Sequence, residues 1–408
     1  MVLRGAMTSG CGVGGMMRIR TAVCTVSDPE AAVQDIANQL DVVGQGAPDF
    51  AALYFSADID ANTVQQAALG KFGPHLHGGT SCLGVMSDQG LAVGPGIGAF
   101  AIWDPKGSFG TASADLGRDP RVAGRTAARE ALIAAGRDGE APDLVWLTLA
   151  PGTEESVLAG VKDVVGADTP IVGGTSGDND HAGAWHQISA GGCHSNGVVV
   201  TVLFPSRNIA VACQTGFAPT ENSGMVTGAD GRTLHSIDGA PAAQVYAGWT
   251  ATPLPPPDQR QSIMSTGALH PLGHEVGFVA GVPMHLLAQP GFANPDGSLS
   301  LFADVAPGDR LWLMHGSAAA MVDRAGRVVA QARRGLPDGG DDIAGALVVY
   351  CAGSLLLLRD RGDDVRQAVH AALGGAPFMG VFTFGEQGSV LGGESRHGNL
   401  MVACSVFG

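Results

Sequence analysis

The stretch HLHGGTSC, His75–Cys82, closes a short apolar run on two glycines and two hydroxyls, and PIVGGTSGD, Pro170–Asp178, repeats its core. The blocks before the two phrases match as well. SDPEAAVQDIANQLDVV and RDPRVAGRTAAREALIAAG each open a helix at Asp-Pro; APDFAALYFS and APDLVWLTLA are apolar strands; DANTVQQAALGKFG and TEESVLAGVKDVVG are second helices. Pro29 and Pro120 stand 91 apart, Asp49 and Asp143 94 apart, and Gly78 and Gly173 95 apart. Three ordered landmarks at nearly constant spacing imply an internal duplication of a β-α-β-α-β unit.

Local signals agree with this parsing. Ser27 and Glu30 have capping-box spacing with Pro29 between them. Val33, Ile36, Ala37 and Leu40 recur at helical spacing, and Val157, Val161, Val164 and Val165 do the same in the second block. A third, divergent echo comes late: ALVVYCAGS, DDVRQAVHAALGGAP and FMGVFTFGEQG repeat the order strand, helix, strand, glycine-bearing turn. Each GGTS runs on into further strand, including the long segments LAVGPGIGAFAIWD and AWHQISAGGCHSNGVVVTVLF. The expected fold is α/β, a two-domain layered architecture of mixed sheets rather than one doubly wound parallel sheet.

Composition narrows the function. The 408 residues are 45% hydrophobic with a net charge of −15, and only Lys71, Lys106 and Lys162 carry ammonium groups. No basic stripe serves a nucleic acid partner. The longest apolar run, ALVVYCAGSLLLL, is about 13 residues against the roughly 20 of a membrane span, so no membrane partner is expected. Seven widely spaced cysteines give neither a disulfide framework nor a zinc site, and a reducing cytoplasm is the natural compartment. Residues 1–17 read as a disordered lead-in without a secretory h-region.

Two glycines let backbone approach a ligand or another strand, while Thr and Ser supply hydroxyls and N–H groups. Gly78, Gly79, Thr80, Ser81, Gly173, Gly174, Thr175 and Ser176 are thus candidate ligand-lining residues, or else tight corners whose hydroxyls satisfy the turn. No helix N-terminus or Walker lysine follows, so a phosphate loop is excluded. Asp178 and Asn179, in GDND, could take an ammonium group or simply form a turn. His75 and His77 share a strand face, but the second copy replaces HLH with IVG, so a metal role is not expected. Cys82 and Cys351 are conceivable nucleophiles of a cysteine-dependent hydrolase or transferase, although no catalytic signature surrounds them.

The paired GGTS blocks, NGVVVTVLF, TGFAPTENSGMVTGADGRTLHSIDGAPAAQVYAGW, HPLGHEVGF, DGSLSLFADVAPGDRLWLMHGS, VVYCAGS and GVFTFGEQG together resemble the FIST proteins, in that order along the chain. The resemblance implies an N-terminal FIST domain over 18–219, duplicated as 18–106 and 107–219, and a C-terminal one over 220–408. It implies a small-molecule sensor, with amino acids the suggested ligands, signalling to a histidine kinase or a cyclic-dinucleotide enzyme. Some relatives bind haem and respond to nitric oxide, so haem stays open as a cofactor. Family members carry a CAGR-like phrase where this chain has Cys351-Ala352-Gly353-Ser354, which puts an anion-pairing arginine there in doubt. Cys351, Gly385, Glu386, His397 and Asn399 are the ligand-facing candidates of the C-terminal half. The cleft is expected between the domains or beside the GGTS corners.

Overall fold

The computed structural model describes residues 16–253, 259–279, 281–337, 339–390 and 393–408. Most of the lead-in and the centre of the proline-rich ATPLPPPDQR segment lie outside these residues.

Three units of one design make up the framework. In the first, strand β1 (Arg18–Cys24) leads through helices α1 (Pro29–Gln39) and α2 (Val42–Gln45) to β2 (Phe50–Phe55). Helix α3 (Ala61–Phe72) then crosses to β3 (Leu76–Thr80), a hairpin β4 (Gly84–Ser87) and β5 (Gly90–Val93) follows, and β6 (Ile97–Trp103) returns. The cap of α1 is Asp28, which accepts from Ala31 N at 2.8 Å, and not Ser27. Its apolar face is as expected: Val33, Ile36, Ala37 and Leu40 are all buried. The second unit repeats this with β7 (Ser108–Asp115), α4 (Pro120–Ala134), β8 (Leu144–Leu149), α5 (Glu154–Val165), β9 (Ile171–Thr175), the hairpin β10 (Gln187–Ser189) and β11 (Gly192–His194), and β12 (Gly197–Phe204). Val157, Val161 and Val165 of α5 are buried, Leu158 joining them while Val164 is half-exposed.

The third echo is a complete unit, interrupted by an insertion. Its first strand, β13 (Ile209–Thr215), precedes nine strands: β14 (Ala218–Asp230), β15 (Thr233–Ile237), β16 (Ala240–Pro241), β17 (Gln261–Ser262), β18 (Leu272–Val279), β19 (Val282–Ala288), β20 (Pro290–Ala293), β21 (Leu299–Leu301) and β22 (Arg310–His315). Helices α6 (Ala242–Thr250) and α7 (Met264–Leu269) lie among them. The unit resumes with α8 (Ala318–Arg334), β23 (Gly345–Cys351), α9 (Ala352–Leu358), α10 (Gly362–Ala372), β24 (Phe378–Thr383), the hairpin β25 (Glu386–Ser389) and β26 (Ser395–Gly398), and β27 (Met401–Phe407). Because β13 pairs with β27 throughout its length, the third unit begins before Pro219 and encloses the insertion.

Each unit builds a four-stranded sheet whose first two pairs are antiparallel and whose last pair is parallel: β1-β6-β2-β3, β7-β12-β8-β9 and β13-β27-β23-β24. Each then completes a neighbour's sheet. The hairpin β4–β5 of the first unit pairs with β24, β10–β11 of the second with β3, and β25–β26 of the third with β9. The exchange runs in a closed circle. A shared core fills the space between the sheets, with Phe50 and Phe100 from the first unit, Trp146 and Val172 from the second, and Val349, Met379 and Phe407 from the third. Separate clusters pack each sheet against its helices, and the insertion has a core of its own around Leu234, Tyr246, Leu272 and Leu311.

Candidate functional site

The GGTS phrases sit where the hairpins cross between sheets. Both occupy equivalent positions, as the duplication requires. They do not border a hollow: Thr80, Ser81, Thr175 and Ser176 are at most 1% exposed, and all four hydroxyls have protein partners. Thr80 Oγ1 accepts from His186 N at 3.1 Å, Ser81 Oγ donates to Gly84 O at 2.5 Å, Thr175 Oγ1 donates to Glu154 Oε1 at 3.1 Å, and Ser176 Oγ donates to His186 O at 3.2 Å. The glycines admit neighbouring backbone. A Cβ on Gly78 would stand 1.9 Å from Leu53 O and one on Gly173 2.0 Å from Leu147 O, while one on Gly174 would meet Thr383 Cγ2 at 2.3 Å. Backbone bonds tie the corners in a ring, Cys82 N to Phe382 O, Gly177 N to Thr80 O, and Phe384 N to Thr175 O. The expectation of a cavity beside the corners gives way to a close-packed junction, because three crossing hairpins need the space that the missing side chains leave.

The GDND segment is likewise engaged by its own loop. Asp178 accepts from the backbone N–H groups of His181, Gly183 and Ala184 at 2.7, 2.6 and 2.9 Å. Asn179 accepts from Leu83 N and donates to Ser56 Oγ and Asp58 Oδ2. Both residues staple the eleven-residue connection 176–186 over the corners, where the first unit needs three residues, 81–83, and the third two, 384–385.

His77 is hydrogen-bonded on both ring nitrogens, to Thr201 Oγ1 at 2.9 Å and Thr148 Oγ1 at 2.8 Å, and its burial lowers the pKa to about 3. It is a neutral structural imidazole. Among the described residues no group of three His, Cys, Asp or Glu side chains could hold a metal ion. The six described cysteines are free thiols. Burial pushes Cys82 up to about 12 and Cys351 well above its usual value, the opposite of what activates a nucleophile.

The candidates of the C-terminal half do converge. Glu386 begins β25 fully buried, with Thr383 Oγ1 donating to Oε1 at 2.8 Å and Met401 N to Oε2 at 3.0 Å. Burial raises its pKa to about 8 against these bonds and one from the Cys351 thiol, so the carboxyl is largely neutral at pH 7. Gly385 is glycine because a Cβ there would lie 2.3 Å from His397 Cε1. His397 is hydrogen-bonded to Gln387 Nε2 at 3.2 Å and, through Nε2, to Phe302 O at 3.1 Å. Asn399 accepts from Gln289 N at 3.0 Å. Phe302 and Gln289 belong to the insertion, so this cluster lies where it meets the third unit.

Several members of the cluster had no signal in the sequence. Gln387 Nε2 also donates to Thr175 Oγ1 at 3.2 Å, linking the cluster to the second GGTS corner. From there Glu154 reaches Arg232 of the insertion at 2.5 Å, and Arg232 pairs with Glu155 at the same distance. Of the nine buried side-chain polar atoms without a hydrogen-bond partner among the described residues, two belong to this cluster: Gln387 Oε1 and Tyr350 Oη, the latter within electrostatic reach of Glu386 and Cys351. Gln387 adjoins the Gly-Glu turn and could have been suspected. Arg232 lies in an ordinary ADGRT turn and could not.

No helix among the described residues is long and apolar enough to cross a membrane. No curated protein matches the chain. Among solved structures, cyanuric acid hydrolase from A. caulinodans aligns with 96% of this chain and 99% of its own, at 12% identity and a TM-score of 0.35. PurLQS from Thermotoga maritima aligns over 74% and 72% at 9% identity and a TM-score of 0.21. Likenesses this distant carry no conclusion about activity. The FIST N domain family matches residues 49–240 and the FIST C domain family residues 242–389. The two matches cover most of the sequence, and the chain therefore belongs to the FIST family, whose domains are associated with signal-transduction sensors.

Proposed function

We propose that this protein is a cytoplasmic small-molecule sensor that signals through a separate partner, and that its ligand, an amino acid, acts at the cluster around Glu386. The observation carrying this reading is the unpartnered buried Tyr350 Oη within electrostatic reach of a carboxyl held neutral, with a second open atom, Gln387 Oε1, on the next residue of the strand. A buried polar atom without a partner costs about 1–3 kcal/mol, and a ligand that supplies the missing bonds recovers that cost. On the face of β25 that carries Glu386, an α-ammonium can donate to the carboxyl and an α-carboxylate can accept from Tyr350 Oη. Binding without turnover fits the raised pKa values of both candidate nucleophiles, Cys82 and Cys351. A histidine kinase or a cyclic-dinucleotide enzyme is the partner class that the family suggests.

The test is a thermal-shift panel of amino acids on the full chain, with recovery of the added compound checked by mass spectrometry. At a hundredfold excess over Kd a true ligand stabilises by about 2.7 kcal/mol, and Glu386→Gln should weaken that response at least tenfold. A panel with no saturable shift, or a compound converted to product, overturns the reading.

A further inference from the structure

The insertion is attached to the framework in two different ways. At its base, where the chain enters and leaves, Phe217, Leu287 and Met314 are buried in the helix-side core of the third unit. Its far side makes polar contacts. Arg232 is bonded to Glu154 Oε2 and Glu155 Oε2 at 2.5 Å each and lies 3.7 Å from Asp304 Oδ1. Asp304 N donates to Glu155 Oε1 at 2.9 Å, and His397 reaches Phe302 O at 3.1 Å. Joined through Thr175 and Gln387, these bonds close a circuit. It runs from Arg232 to Glu154, Thr175, Gln387 and His397, then to the 302–304 segment, Glu155 and back to Arg232. The circuit passes through the second unit, the third unit and the insertion.

We propose that residues 217–315 form a flap clamped on the framework by Arg232, and that release of this clamp is the movement by which the sensor reports occupancy. A body with its own hydrophobic core can move as a unit, and polar interfaces between such bodies part more readily than apolar ones. The apolar base supplies a pivot. The clamp is sensitive to its partners, since Arg232 is largely buried and removing one member of a buried ion pair leaves an uncompensated charge. The trigger, though not the clamp, rests on the sensor reading: Gln387 belongs to the circuit and directly follows Glu386 of the candidate ligand site on β25.

Hydrogen–deuterium exchange on the full chain without ligand tests the clamp. Arg232→Gln should speed exchange at least tenfold in peptides covering 299–304 and 395–399, leaving 50–55 and 144–149 as slow as in the parent. Unchanged exchange at 299–304 overturns the proposal, and so does uniform acceleration including 50–55. If Arg232→Gln does not fold by circular dichroism, Glu155→Gln replaces it, because the Glu154 contact survives there. A two- to fivefold acceleration confined to the same peptides is then expected, and none would again be fatal. Since neither measurement uses a ligand, a failed amino-acid panel leaves this result standing, and the converse holds.

Discussion

The junction between the first two units and the junction between the third unit and the insertion are both buried and both polar, yet the chain of side-chain bonds at the centre of the first is complete. Gln187 Nε2 of β10, on the strand that joins the same two units, is nevertheless also buried without a partner. Between the first two units a chain of bonds runs from Trp146 Nε1 to Tyr54 Oη at 2.9 Å, on to Thr148 at 2.5 Å, to His77 at 2.8 Å, to Thr201 at 2.9 Å and to Thr111 at 2.7 Å. Each of these side chains has a partner and the imidazole is neutral, which is what a structural polar network requires. At the other junction a carboxyl sits at a cost in ionisation, while Gln387 and Tyr350 each leave an atom unpaired. A polar network in which every bond is made thus reads as structure, and a buried carboxyl held neutral near an unpartnered hydroxyl reads as a candidate for function.

The comparison can be broken first at the corners. Gly173→Val would drive a side chain into Leu147 O, and no rotamer relieves a clash with backbone. We expect a loss of about 3 kcal/mol or more, measured by urea denaturation; a loss below about 1 kcal/mol would show that the junction is looser than its geometry.

The two ionisable groups at the two junctions have opposite pH signatures. Glu386 is raised in the fold from 4.5 to about 8, so the unfolded chain ionises first and stability is lost as pH rises from 4.5 through 8. The loss is about 1.4 kcal/mol per unit within that window. Glu386→Gln should remove this slope, so that its stability relative to the parent rises between pH 5 and pH 8. A constant difference between the two proteins across that range would refute the neutral carboxyl.

His77 behaves in the reverse sense and over a smaller accessible range. Its folded pKa is depressed from 6.5 to about 3, so the unfolded chain binds the proton first and stability falls as pH drops below 6.5, again by about 1.4 kcal/mol per unit. His77→Gln removes the titration, so the parent's advantage over it should shrink by about 2 kcal/mol between pH 6.5 and 4.5. Equal denaturation slopes for both proteins in that range would contradict the neutral, doubly bonded imidazole.

Much of this molecule was readable in advance. The Asp-Pro, APD and GGTS landmarks located two units, FMGVFTFGEQG pointed to the third, and the periodic faces of α1 and α5 are buried nearly as written. The Gly-Glu turn, His397 and Asn399, named together through the family resemblance, and Cys351, named apart from them, lie near one another in the fold. The GGTS corners were harder, because glycines that admit a ligand and glycines that admit another strand look alike in one dimension.

Helical period and repeat spacing are local properties, and the sequence alone settled them together with the family. Tertiary structure decided that each hairpin completes a neighbour's sheet, that the third unit encloses the insertion, and that Arg232 and Gln387 share one circuit with Glu154. Those outcomes depend on closing a circle of three sheets, which brings together residues more than a hundred positions apart, and no local pattern records which buried atoms are then left without a partner.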